Sequence, residues 1–320
     1  MTSLPSPVTA QTPFHVQWFG ASRRLVGGVP DCRYGWLDLP DGPCIVKAMD
    51  PELTAYNQTL PDHERKILAR LHALQAPVPG LVDLGRPDWL ATRFAGLSVQ
   101  RLERAFDSTG TDPRVLFPLA ERLAVWVHLL RRLQQLADRG VWLIDLHEGN
   151  VVLPLTDGLQ GQLRLHEPML IDHAHTLEAG MNLQRPVWLN GQMAHIPPEL
   201  RPALQQDQQA LIEHFQKAGA APPTSSRSSD QSDLFSRRLW AEYRAPQALQ
   251  RLLDANQLNA GQAMQHAVAA AMKGLLTAFV GAACRQPLQA VLSRMSAEQP
   301  ARRYPSLNDA AAELDALMPP

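Results

Sequence analysis

The sequence predicts an α+β fold in two lobes, a small β-rich N-terminal lobe at 14–95 and a larger helical C-terminal lobe at 96–320. Three observations predict it. Apolar and alternating runs separated by turn residues fill most of the chain up to Phe94. One amphipathic helical period interrupts them. Beyond Phe94 the apolar residues recur mainly at helical spacing, in segments too long for strands.

The elements follow in order. MTSLPSPVTAQTP (1–13) lacks the basic-then-apolar order of a signal peptide and reads as a flexible tail. RYGWLDL and CIVKAM flank LPDGP, whose Asp41-Gly42 is a hairpin turn signal. In DHERKILARLHALQ, Ile67, Leu68, Leu71 and Leu74 share one helical face, and Asp62 is placed to cap it. PVPGLVDLG and WLATRF add two strands. VLFPLAERLAVWVHLLRRLQQLADRG is a long helix ending at Gly140. A hairpin is expected at 150–171 with TDGLQGQ as its turn, then an irregular stretch at 172–199. AGAAPPTSSRSSDQS (218–232) is low in complexity and reads as a disordered loop; either 205–231 is a loop insertion, the preferred reading, or QDQQALIEHF begins a helix and the insertion comes later. Helices resume from 233 to the end.

Composition narrows the function. Apolar residues make up 45% of 320, enough for a sizeable core, and the net charge of −1 argues against a nucleic-acid or membrane-surface binder. Cys32, Cys44 and Cys284 are an odd count without metal-ligand spacing, which suits a reducing compartment such as the cytoplasm. AVAAAMKGLLTAFVGAAC (267–284) approaches membrane length. Lys273 interrupts it and much of it is Ala and Gly, so it reads as a buried helix with no membrane insertion.

Four positions stand out for chemistry. Lys47 lies in the apolar strand CIVKAM. It either snorkels at the strand's edge or meets a carboxylate, because a half-buried ammonium without one is costly; Glu64 is the candidate. Asp145 and Asn150, in LIDLHEGN, sit between a long helix and a strand. They either cap the loop or orient a hydroxyl and bind a hard cation. Asp172 ends the apolar run MLID, either as a turn residue or as a metal ligand on a fixed backbone.

Taken together, a strand Lys, a Glu in the next helix, Asp-x-x-x-x-Asn after a long helix and Asp after a hairpin resemble the protein-kinase fold over almost the whole chain, in the manner of a divergent bacterial Ser/Thr kinase. The resemblance implies ATP and Mg²⁺ (or Mn²⁺) in a cleft between lobes and a protein substrate. CIVK looks like V-A-I-K, so Lys47 would hold the α- and β-phosphates and pair with Glu64. Thr92 would back the adenine pocket and Gly35 would lie in the nucleotide-binding loop. LIDLHEGN stands where H-R-D-L-x-x-x-N is expected, making Asp145 the base and Asn150 a metal ligand; IDHA stands for D-F-G, making Asp172 the main metal ligand. GQMAHIPPE (191–199) has the layout of the segment ending in A-P-E, SDLFSRRLW (232–240) that of the following helix start, and EQPARRYPSLNDAAAEL (298–314) that of the C-terminal end. By the same resemblance Arg303 would bridge Glu199, and 172–199 would be the activation segment.

The chain also departs from that pattern. Pro30 and Cys32 stand where the first two loop glycines belong, with Gly27 and Gly28 upstream, and Pro30 has no N–H to offer a phosphate. Leu143 and Ile144 replace the His and Arg before the base, and Gln192 replaces a Thr. Thr176 is the one hydroxyl-bearing residue between Asp172 and Glu199, so no activation-loop phosphorylation switch is expected. His147 takes the place of a Lys, as in aminoglycoside-type small-molecule kinases; it either donates to the γ-phosphate or bonds loop carbonyls. His173 and Ala174 replace the Phe and Gly of D-F-G. These departures keep two alternatives open: a pseudokinase that binds a regulatory protein partner, and a small-molecule kinase.

Overall fold

The turn at Pro40-Asp41 joins strand β2 (Cys32–Leu39) to β3 (Gly42–Met49), which pair antiparallel in the register Leu39↔Gly42. Gly42 has φ +117°, a conformation that L side chains rarely adopt. The structure, a computed structural model, describes residues 15–19, 32–49, 59–102, 119–156, 162–173, 176–181, 183, 195–219, 243, 248–255, 258–277 and 282–318. The expectations for 1–13, for Pro30, for Gln192 and for SDLFSRRLW lie outside them. The chain divides into two compact units, one mainly of residues up to Phe94 together with Gln208–Ala245, the other mainly of Ala95–Asp207 and Pro246–Pro320.

The first unit holds a five-stranded antiparallel sheet in the order β1-β2-β3-β5-β4, with β1 at Gln17–Trp18, β4 at Leu81–Val82 and β5 at Trp89–Arg93. Alternation along β3 puts Cys44, Val46 and Ala48 into the core, where Val16, Leu37, Leu84 and Ala91 join the first two. Burial pushes the Cys44 thiol up to about 11, so it serves as an inert apolar filler. Helix α1 (Thr59–Ala73) packs on β4 and β5 and buries Ile67, Leu68 and Leu71. It starts at Thr59, three residues before Asp62, so Asp62 is not its cap.

Gly35 has a packing reason for its missing side chain. A Cβ there would lie 2.4 Å from Val16 Cγ1 and 2.9 Å from Trp18 Cε3. Gly35→Ala is expected to push β1 off β2 at a cost of about 1–3 kcal/mol. Chemical denaturation of the purified variant measures this, and an unchanged midpoint would refute the packing role.

Among the described residues the second unit is helical around two small sheets, one of which includes β6 (Leu97–Ser98). Helix α2 (Leu119–Ala137) is buried over most of its length, from Leu123 to Leu136, against α7 (Leu307–Asp315) and α5 (Ala260–Thr277). Gly140, at φ +70°, ends its C-terminal turn, and a Cβ there would strike Ala179 at 2.7 Å. Helix α7 buries Leu307, Ala310, Ala311 and Leu314, and opens with a capping box of Ser306 and Asp309. The apolar run 267–284 is divided between α5 and α6 (Ala282–Met295), and among the described residues no helix is long and apolar enough to cross a membrane.

Two expectations are corrected here. The stretch 172–199 is not wholly irregular: β10 (Thr176–Glu178) pairs antiparallel with β7 (Val141–Leu143). Residues 205–217, read as part of a loop insertion, belong instead to helix α3 (Arg201–Lys217). Asp207 anchors that helix by accepting hydrogen bonds from the backbone N–H of Ala248 (2.5 Å) and Leu249 (3.1 Å), at the start of α4 (Ala248–Asp254).

Candidate active site

Pleat and helix register decide what Lys47 meets. Its strand neighbours Val46 and Ala48 point into the core, so Lys47 points to the other face. There its Nζ lies 2.8 Å from Glu64 Oε2 on α1, with side chains only 16% and 7% exposed. Of the two readings open to the lysine, the geometry is that of a paired ammonium. Burying such a pair gains little stability over apolar residues of like size, while removing one partner is costly. Thr92, in β5, is half-buried and stands opposite Ile45 and Leu81. Gly35 lies in β2 beside Trp18.

In the second unit, the loop after β7 folds on itself before β8 (Val151–Leu153). Asn150 Nδ2 donates to the Asp145 carbonyl at 2.9 Å, and Asn150 N donates to the His147 carbonyl at 2.9 Å. Asn150 is buried, so its amide is fixed and Oδ1 is left as its acceptor. The Gly149 N–H donates to His147 Nδ1 at 3.0 Å. That nitrogen therefore carries no proton, and a neutral His147 bears its proton on Nε2. Gly149 makes this possible, because a Cβ there would lie 2.7 Å from His147 Cε1. Asp145 is half-buried, and it is its backbone carbonyl that holds Asn150.

The hairpin of β8 with β9 (Met169–Leu170) delivers Asp172 next to this loop. Ile171 N donates to the Asn150 carbonyl at 3.0 Å, tying the two segments together. Asp172 is exposed and has φ +59°, a left-handed conformation rare for a non-glycine residue. Asp145, Asn150 and Asp172 line one small pocket together with Leu143, His173 and Thr176. Among the described residues no group of three His, Cys, Asp or Glu forms a metal cage. One carboxylate and one amide oxygen are oxygen donors of the kind that could serve a hard cation such as Mg²⁺.

His195 also approaches the loop. Its ring centroid lies 6.0 Å from that of His147, and its Nε2 lies 4.0 Å from Glu148 Oε2. Burial pushes its pKa below the ordinary histidine value, Glu148 and Asp145 raising it and His147 lowering it. The net shift is downward, so the contact with Glu148 joins a carboxylate to a neutral ring. Sequence reasoning missed His195, Gly149 and Asp207. The pairing of a loop histidine with a glycine two residues on was the available signal for Gly149.

Arg303 is the remaining expectation. Its guanidinium, fully buried, forms a bidentate bridge to Glu199 at 2.7 and 2.8 Å, across 104 positions. Two contacts that the resemblance implies are present, Lys47 with Glu64 and Arg303 with Glu199. Strands and helices together make the fold α+β.

No protein-family model and no curated protein matches the chain. Among solved structures it is similar to the PknI kinase domain of Mycobacterium tuberculosis, 18% identical over 98% of this chain and 100% of that one, with a TM-score of 0.49. A further structure of that domain gives 17% identity over 96% and 99%, with a TM-score of 0.47.

Proposed function

We propose that the chain transfers the γ-phosphoryl group of Mg-ATP to a Ser or Thr hydroxyl of a protein substrate in the cytoplasm. The observation that carries this reading is the Lys47–Glu64 pair, 2.8 Å long and largely shielded from water. A half-buried lysine held by a helix carboxylate suits a fixed cation that binds phosphate, and such a pair contributes little to stability alone. ATP supplies the transferable phosphoryl group and Mg²⁺ neutralises charge that develops on it. Lys47 binds the α- and β-phosphates; Asn150 and Asp172 offer their oxygens to the metal. Asp145 orients the acceptor hydroxyl and takes its proton. His147 offers Nε2–H to the transferring group while Gly149 holds its other nitrogen.

Thr176 supports the absence of a phosphorylation switch. It is 3% exposed and paired in β10 opposite Leu143. Mass spectrometry of protein incubated with ATP is expected to find Thr176 unmodified; stoichiometric phosphate there with raised activity would overturn the reading.

Thermal shift with nucleotide tests the function. ATP is expected to raise the melting temperature of the chain only when Mg²⁺ or Mn²⁺ is present, and Lys47→Met is expected to lose that shift. The packing of Gly35 against β1 favours a second reading, a pseudokinase that binds a protein partner, because the glycine is accounted for without a phosphate. Absence of any nucleotide shift in the unmodified chain would decide for it.

A further inference from the structure

We propose that His173 is a positioning residue for Asp172, an inference that rests on the phosphoryl-transfer reading for its consequence but on backbone geometry for its cause. His173 is 2% exposed, and its Nε2 lies 3.0 Å from the Leu170 carbonyl. A carbonyl only accepts, so Nε2 carries the proton and donates. The bond spans Ile171 and Asp172 and closes a ring around the residue with positive φ.

Both sides of Asp172 are anchored. Before it, Ile171 N donates to Asn150 O. After it, the His173 ring holds β9 through Leu170, and the His173 carbonyl accepts from Thr176 N at 3.1 Å, at the start of β10. A left-handed aspartate is strained and persists where its surroundings over-determine it. The His173 side chain is the part of those surroundings that a phenylalanine of similar bulk lacks, for a phenyl ring fills the space and donates nothing. The carboxylate proposed to hold the metal is thus aimed by a hydrogen bond from its own neighbour, in a chain where Ala174 stands in place of glycine.

Two variants of the full chain test this. Glutamine carries an Nε2 donor as many bonds from Cα as histidine does; phenylalanine keeps the bulk alone. Hydrogen exchange without nucleotide or metal reads the turn directly. The peptide spanning Leu170–Thr176 is expected to exchange about tenfold faster in His173→Phe than in the unmodified chain, and at nearly the native rate in His173→Gln. With ADP at fixed concentration, the Mn²⁺ concentration for half of the thermal shift is expected to rise about tenfold in His173→Phe and much less in His173→Gln, which a general loss of fold would not separate. Unchanged exchange in His173→Phe, or equal acceleration in both variants, overturns the inference. A separation of the two variants in exchange without any Mn²⁺-dependent shift in the unmodified chain upholds the positioning and overturns the phosphoryl-transfer reading instead.

Discussion

Asp145→Ala is expected to slow phosphoryl transfer by about 1,000-fold, within the ~10²–10⁴ that a positioned general base contributes. The size follows from what the loop keeps and loses. The Asn150 side chain is held by the Asp145 backbone carbonyl, which alanine retains, so the amide proposed to bind the metal should stay in place. The side chain is only half-buried and the loop's bond to Asn150 uses the backbone, so the melting temperature should move little. Asp172→Ala attacks the same reaction from another side, by removing the one carboxylate of the candidate metal set, and excess Mg²⁺ should restore little of its activity. The assay is transfer of labelled γ-phosphate to generic protein acceptors and to the chain itself, at matched ATP and Mg²⁺. Transfer by the Asp145→Ala, Asp172→Ala double variant at the native rate would remove both residues from the chemistry.

How much of this was legible depends on whether the signal was periodic. The Lys47–Glu64 contact was readable because strand alternation put Lys47 opposite Val46 and Ala48, while helical spacing fixed the apolar side of α1. The start of α1 was not. Thr59, Leu60 and Pro61 carry no apolar period, and proline is tolerated in a first turn, so Asp62 looked like the beginning. Helix α3 was ranked below a loop insertion for a similar reason: its QQDQQ run is polar, and its anchor is the long-range bond to Asp207 from α4. Strand β10 has only three residues, and pairing with β7 rather than alternation makes it a strand. In the site, residue types such as Asp145, Asn150 and Asp172 could be read from order and spacing. The backbone geometry that aims them could not, since the positive φ of Asp172 and the Gly149–His147 bond arise from contacts among neighbouring turns.

Arg303→Met is expected to destabilise the chain by about 3–5 kcal/mol, because it leaves a carboxylate with reduced access to water and no guanidinium. Arg303 is fully buried and does more than pair with Glu199. Its Nε donates to Ala297 O at 2.8 Å and its Nη1 to Gln262 O at 2.7 Å, so one side chain ties the end of α6, the start of α5 and the segment preceding α3. Methionine fills part of the volume and satisfies none of these acceptors. Glu199→Gln should cost less, since the amide oxygen still accepts from Arg303 and the carbonyl bonds survive. In the Arg303→Met, Glu199→Gln double variant the cost should fall short of the sum of the two single costs, because the unpaired carboxylate is then gone. Urea unfolding monitored by circular dichroism gives all three values. An Arg303→Met cost below about 1 kcal/mol, the level of an exposed pair, would mean that water reaches the bridge and that the C-terminal helices are held by apolar packing of α7 on α2 alone.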